Sequence, residues 1–277
     1  MKKYTFLLLF ILSTTLAMAQ KKEKIKGSKT VTTEQRKIGN FDTLEVEDNL
    51  EVYLEKSEET ALKIEADDNL HDIIKIELRD NVLHLYTSKE ATQYKKLIVK
   101  LSYTADLNLV IANKKSQINA IQEINLEDIT IKAFDNSRLF LNVNSTNFLL
   151  QADDDTKMEI NLKSEKAKIE LSKNANLKAL ITTVDLGFDL YQKSEANIEG
   201  DATNAIIRME NNSNFNGKKL SIKNVDLTAE SSSSCSINTL TSIIINAGDK
   251  SSIQLYGNPK IEITKFSEEA KLFKKIK

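Results

Sequence analysis

The chain has 277 residues, with 39 basic against 40 acidic side chains, two His, one Pro, seven Gly, no Trp and one Cys. This composition excludes a disulfide framework, a collagen-like or proline-rich chain and a strongly basic nucleic-acid binder. The near-neutral charge offers no steering toward phosphates or anionic lipid, so no nucleic-acid partner is expected.

At the N-terminus, Lys2 and Lys3 precede the apolar run from Tyr4 to Leu12, and Ala17-Met18-Ala19 supplies small residues of the kind signal peptidase reads. The pattern predicts a signal peptide over 1–19, cleaved between Ala19 and Gln20. A membrane anchor fits less well, because the apolar run is about half of the ~20 residues a spanning helix needs. Cleavage removes two Lys and no acid, which moves the net charge from −1 to −3. The chain is therefore expected to be exported to the periplasm, the cell surface or the medium. No Cys follows the cleavage site to carry a lipid, and no later segment reaches ~18 consecutive apolar residues, so the mature chain is expected to lack a transmembrane segment.

Residues 20–40 form a polar, Thr-containing lead-in, and order is expected from Phe41. Over 41–105 the hydrophobic period is two: Leu44 and Val46, Val52 and Leu54, Leu62 and Ile64, then Leu83 and Leu85 alternate with polar neighbours, as half-buried strands do. Residues 56–59 and 67–69 carry turn chemistry. Residues 70–78 fit either a short helix or a strand, and strand is preferred.

From residue 106 to 263 the pattern is a repeat. Alternating apolar positions run into a polar knot and out again, as in Ile129-Thr-Ile131-Lys-Ala133, Asp135-Asn136-Ser137, Leu139-Phe-Leu141. An apolar marker about two places after each knot falls at 118, 139, 158, 177, 198, 215, 237 and 253, a mean interval of about 19. One such unit cannot bury its apolar face alone, whereas stacked units close a continuous core and pair their backbones. The expectation is an all-β chain: a parallel β-helix of about eight coils of ~19 residues, preceded by an N-terminal β-strand region. The 25 Asn residues agree, since Asn accepts left-handed corners and can stack its amides in ladders. Antiparallel hairpins remain the alternative; the shortage of Gly for two-residue Asn-Gly turns counts against them. A leucine-rich repeat and a left-handed hexapeptide helix fit less well, for want of their fixed motifs. Residues 264–277 are expected to form a polar cap or a tail.

The opening block Phe41-Asp42-Thr43-Leu44-Glu45-Val46, then Val52-Tyr53-Leu54, Leu62 to Leu70, Val82-Leu83-His84-Leu85, Leu97 to Tyr103 and the closing Leu255-Tyr256-Gly257-Asn258-Pro259 resemble one known family. It is the secreted "putative auto-transporter adhesin, head GIN domain" family, whose function is unknown, and the resemblance covers about residues 37 to 263. It implies a right-handed parallel β-helix with an N-terminal β region and carries over no catalytic residue. The chain departs from the family in its corners, where Lys-Lys-Ser, Asp-Asn-Ser or Ser-Ser-Ser replace Gly-Ser-Gly-like sequences.

Asp153, Asp154 and Asp155, with Asp135 one coil earlier, are the best carboxylate cluster for a glycoside hydrolase or lyase, and weak candidates for calcium. A solvated corner is the simpler reading, and Arg138 and Arg208 come without an accompanying motif. His71 and His84 lack a third ligand, so no zinc site is expected. Cys235 beside Ser231 to Ser234 has no neighbouring His and reads as a buried apolar residue or an unused thiol. Phe134, Phe140, Phe148, Phe188 and Phe215 are mostly expected in the core, with Tyr191 and Tyr256 exposed. No catalytic residue, metal or cofactor is therefore assigned. The expected function is non-enzymatic: a binding surface for an unidentified envelope protein or extracellular glycan, in adhesion or envelope interaction. The alternatives are a polysaccharide-active enzyme and a periplasmic structural module.

Overall fold

The computed structural model describes residues 22–276, so the expected leader and the Ala19/Gln20 cleavage site lie outside the described residues. The N-terminal part contains β1 (Lys24–Lys26), β2 (Val31–Arg36), β3 (Thr43–Val46), β4 (Glu51–Lys56), β5 (Ala61–Asp67), a 3-10 helix (Asp68–Ile73), β6 (Ile74–Arg79), β7 (Val82–Thr87), β8 (Glu90–Thr92) and β9 (Leu97–Tyr103). The repeat then builds β10 (Leu109–Ala112), β11 (Gln117–Ala133), β12 (Arg138–Ala152), β13 (Lys157–Leu171), β14 (Asn176–Leu190), β15 (Glu195–Met209), β16 (Asn214–Ala229), β17 (Ser234–Ala247), β18 (Ser252–Tyr256), β19 (Lys260–Phe266) and β20 (Lys271–Lys274). Each strand from β10 to β17 pairs in parallel with the next, as in the registers Leu139 to Met158 and Met158 to Leu177. The chain is a β-solenoid of about nine turns with ~19-residue spacing. The stack extends beyond the eight expected coils because β3 and β4 already lie in it, paired in parallel with β10 and β11.

A helix occurs where strand was preferred: Asp68–Ile73 is a 3-10 turn, and only Ile74–Arg79 is a strand. Leu70 and Ile73 are three apart, the period of a 3-10 helix, and both are buried.

Each coil closes through a two-residue corner with both residues left-handed. Asn136, Asp155, Asn174, Lys193 and Asn212 recur at nineteen-residue spacing in this conformation, each preceded by another left-handed residue. No glycine occupies a left-handed position in these corners, although two positive φ values in succession normally favour it. The shortage of Gly was therefore no argument against such turns. What offsets the strain, about 1 kcal/mol for each non-glycine residue, is a backbone ladder. The N–H of Asn136 donates to the Asp154 carbonyl at 2.8 Å, that of Asp155 to Lys173 at 3.1 Å, and that of Lys193 to Asn211 at 3.0 Å. Corner side chains are thus free to vary. Asn ladders form on the strand faces instead, for example from Asn161 Nδ2 to Asn142 Oδ1 at 2.7 Å.

Inside, the alternation Leu139-Leu141-Val143 and Phe148-Leu150-Ala152 faces one continuous core in which these residues are buried. Cys235 belongs to this core.

The N-terminal end is covered. β7 and β9 continue the parallel ladder beyond β3 and β4, and the antiparallel strands β6, β5 and β2 then close the two sides. Charges pin this cover. Lys96 and Lys100 each place an ammonium 2.6 Å from Glu65, and Lys100 foremost holds that carboxyl at about 2 instead of 4.5. Burial pushes the Asp67 carboxyl up, but the N–H groups of Lys29, Lys96 and Lys95 outweigh it and leave it lowered. Both groups bind protons less readily folded than unfolded. The stabilisation from Glu65 is therefore complete above the ordinary carboxylate range and is lost as pH falls from about 4.5 through about 2, and that from Asp67 is lost in the same direction. Thermal melts across that range are expected to show a falling midpoint, with a shallower fall in Glu65→Gln; an unchanged slope in the variant would contradict the assignment.

Candidate functional site

Strand alternation that sends Leu139, Leu141 and Val143 inward sends Arg138, Phe140, Asn142 and Asn144 outward. The parallel register then stacks unlike residues into outward columns, such as Phe140, Glu159, Lys178 and Asn197, or Asn142, Asn161, Leu180 and Glu199. Between these columns lies an open groove of about 510 Å³ lined by Phe140, Asn142, Asn161, Leu180, Asn197 and Glu199. Its apolar floor is exposed, Phe140 by 38% and Leu180 by 53%. Its polar groups are held in place: Asn161 donates to Asn142, Asn216 Nδ2 donates to Asn197 Oδ1 at 2.9 Å, and Lys219 Nζ sits 2.7 Å from Glu199. A second depression, sharing Phe140, Glu159 and Lys178, extends it toward Arg138 and Glu195. Phe140 thus departs from its expected place in the core, because its neighbours Leu139 and Leu141 take the inward positions. Phe148, Phe188 and Phe215 are buried as expected, and Phe134 is half-buried at a corner.

On the opposite strand face, Gly187 supplies no side chain between Lys168 and Ile206, which leaves a shallow groove of about 530 Å³. Asn204 donates to Asp185 at 2.9 Å and Arg208 pairs with Asp189 at 3.4 Å along its edge.

The residues singled out in the sequence lie elsewhere. Asp154 and Asp155 are the two left-handed residues of one corner, and Lys173 of the following corner reaches back to Asp153 at 3.1 Å and Asp154 at 3.3 Å. Burial raises the Asp153 carboxyl; Lys173 opposes this and the like charge of Asp154 adds to it. Lys173 thus stands beside two of the three carboxylates. Ser231 and Ser232 are likewise corner residues. Burial pushes the Cys235 thiol up to about 12, away from nucleophilic chemistry. A thiol reagent is expected to leave Cys235 unmodified in the native chain and label it fully in denaturant; rapid native labelling would show that the core opens.

His71 is packed against Thr32 Oγ1 at 2.9 Å and Glu34 at 3.1 Å. His84 stacks on Tyr86 at 4.6 Å, and its ring joins Glu45 and Glu47 in a cluster whose ligand atoms lie within 4.8 Å. The register of β3 with β7, which sets Glu45 opposite His84, brings these residues together; neighbouring positions in the sequence give no sign of it. Lys114 Nζ, 2.7 Å from Glu47, already supplies that cluster with a cation. Among the described residues, no helix is long and apolar enough to cross a membrane.

The family described as "Putative auto-transporter adhesin, head GIN domain" matches residues 40–259. No curated protein matches. A solved structure described as a putative adhesin from Parabacteroides merdae is similar with a TM-score of 0.69 at 17% identity, over 91% of this chain and 99% of that one. A second, from Parabacteroides distasonis, gives 0.68 at 15% identity over 90% and 99%. A third from the same species, described as a putative lipid binding protein, gives 0.60 at 16% over 91% and 100%. At these identities the likeness is one of fold.

Proposed function

The chain belongs to the putative auto-transporter adhesin, head GIN domain family, and on that premise we propose that it is an exported, non-enzymatic adhesin module that binds extracellular glycan. The contact face is the one carrying Phe140 and Leu180. The observation that supports this reading is an exposed aromatic ring flanked by amides fixed in a ladder, beside a groove open along the stack. A flat apolar ring contacts the apolar face of a sugar, while pre-positioned amides and carboxylates satisfy its hydroxyls without an ordering cost. The groove also carries both signs of charge, Lys178 beside Glu159 and Glu199, which suits a neutral polymer. The enzyme alternative draws no support from the Asp153 to Asp155 corner, where Lys173 pairs two of the three carboxylates.

A panel of immobilised neutral and charged polysaccharides, probed with the purified mature chain, tests the proposal. Saturable capture on a neutral polymer that persists in high salt is expected. Capture only on charged polymers and only at low salt, or none on any polymer, would overturn it.

A further inference from the structure

The two ends of the stack are built differently. Five strands cover the N-terminal end, whereas at the other end β19 pairs only with β17, and β20 only with β18, among the described residues. One long edge of β19 is therefore unpaired, and its inward side chains are uncovered. Ile261, Ile263 and Phe266 stand opposite Ile243, Ile245 and Ala247, all three of which are buried. Yet they are themselves 42%, 49% and 43% exposed, because no coil lies beyond them among the described residues.

We propose that this edge pairs with the same edge of a second copy of the chain, tail to tail about a two-fold axis. The outer positions of β19 are complementary to their own reverse. In an antiparallel pairing that sets Ile261 opposite Phe266, Glu262 falls opposite Lys265, and the two-fold axis repeats both pairs. The apolar pair lies on the inward side, where it continues the core from one copy into the next. The charged pair lies on the outward side. The register shift between Ile245 and Asn246 places an extra residue, Thr264, between Ile263 and Lys265, and this puts Glu262 and Lys265 on the same face.

The other charges at this end fit a contact along β19. Lys265 also reaches Glu230 of its own chain at 3.1 Å, whereas Glu262 has no ion pair within the chain among the described residues. On β20, Lys271 and Lys274 would face their own copies, so that side is held apart by like charge. Lysine on an exposed edge ordinarily blocks strand pairing. On β19 the register gives Lys265 a carboxylate, which makes the edge selective for its own kind. The inference is independent of the glycan-binding proposal, because the Phe140 face lies on β12, several coils away.

Sedimentation or light scattering of the full mature chain over a range of concentrations tests it. A monomer–dimer equilibrium is expected. Glu262→Lys and Lys265→Glu alone should each weaken the dimer at least tenfold, and the double exchange should restore it. A second reading comes from Ile261→Cys with Phe266→Cys, expected to give disulfide-linked dimers under oxidation while the buried Cys235 stays out of reach. A wild-type monomer at every concentration would overturn the proposal. So would a dimer indifferent to the single exchanges, or one the double exchange does not restore.

Discussion

Replacing Phe188 with alanine is expected to cost about 4 kcal/mol of stability, at the upper end for a core truncation. Phe188 is fully buried and meets Phe215 of the same core edge to face, with ring centres 5.2 Å apart at 74°. In a compact domain, side chains from many directions could collapse into the vacated space. Here only the adjacent coils can respond, and the backbone ladder fixes their separation at about 4.8 Å. The cavity therefore stays open, and Phe215 loses its aromatic partner. Urea unfolding followed by circular dichroism measures the change. A loss below about 1 kcal/mol would mean that this part of the core does not pack as described.

A comparable loss, about 3 kcal/mol, is expected from Gly200→Ala, with no core volume removed. Gly200 has φ +112, outside the range of an L side chain, and an added Cβ would lie 2.1 Å from the Ile181 carbonyl oxygen of the coil below. That oxygen belongs to the parallel ladder between β14 and β15. Relief would require these two coils to part. Gly257 repeats the situation near the end of the stack, with φ +81 and a Cβ position 2.0 Å from the Thr239 carbonyl. Gly187→Ala is the control: nothing lies nearer than 3.6 Å to its added Cβ, so it should be tolerated. Equal stability of Gly200→Ala and Gly187→Ala would contradict the close approach at Gly200.

These two sites show why the fold was legible in the sequence and much of its detail was not. Apolar alternation and polar knots at ~19-residue intervals report the stacking directly, because each coil must repeat the inward positions of the last. The corners hide their conformation. Lys114 and Lys115, or Ser231 and Ser232, carry no glycine signal, since the ladder between coils and not the local sequence holds them left-handed. Gly200 could be seen as a glycine within a strand, but only the register shows the carbonyl it must admit. β3 and β4 were legible as strands and not as part of the stack, since their partners there, in β10 and β11, lie more than sixty residues away.

The candidate site was less legible still. The sequence drew attention to Asp153, Asp154 and Asp155 because acidic clusters stand out in one dimension. The register instead binds that corner to Lys173 and assembles a groove from residues nineteen apart. Phe140 was available to the same alternation that placed Leu139 and Leu141 inward, and reading it strictly would have turned the ring outward. Leu180 and Asn161 had no such signal, since their significance lies in which columns they join. The cluster of His84, Glu45 and Glu47 is likewise a product of register.

The most direct measurement of the binding face is a titration of a captured glycan with three proteins: the wild-type chain, the double variant Phe140→Ala with Leu180→Ala, and the control Ile244→Ala. Ile244 is exposed to the same extent as Phe140, at 38%, but lies on the other strand face. The double variant is predicted to bind at least tenfold more weakly, about 1.4 kcal/mol, and the control to match the wild type. Binding that the double variant retains in full, or that the control loses equally, would contradict a contact face centred on Phe140.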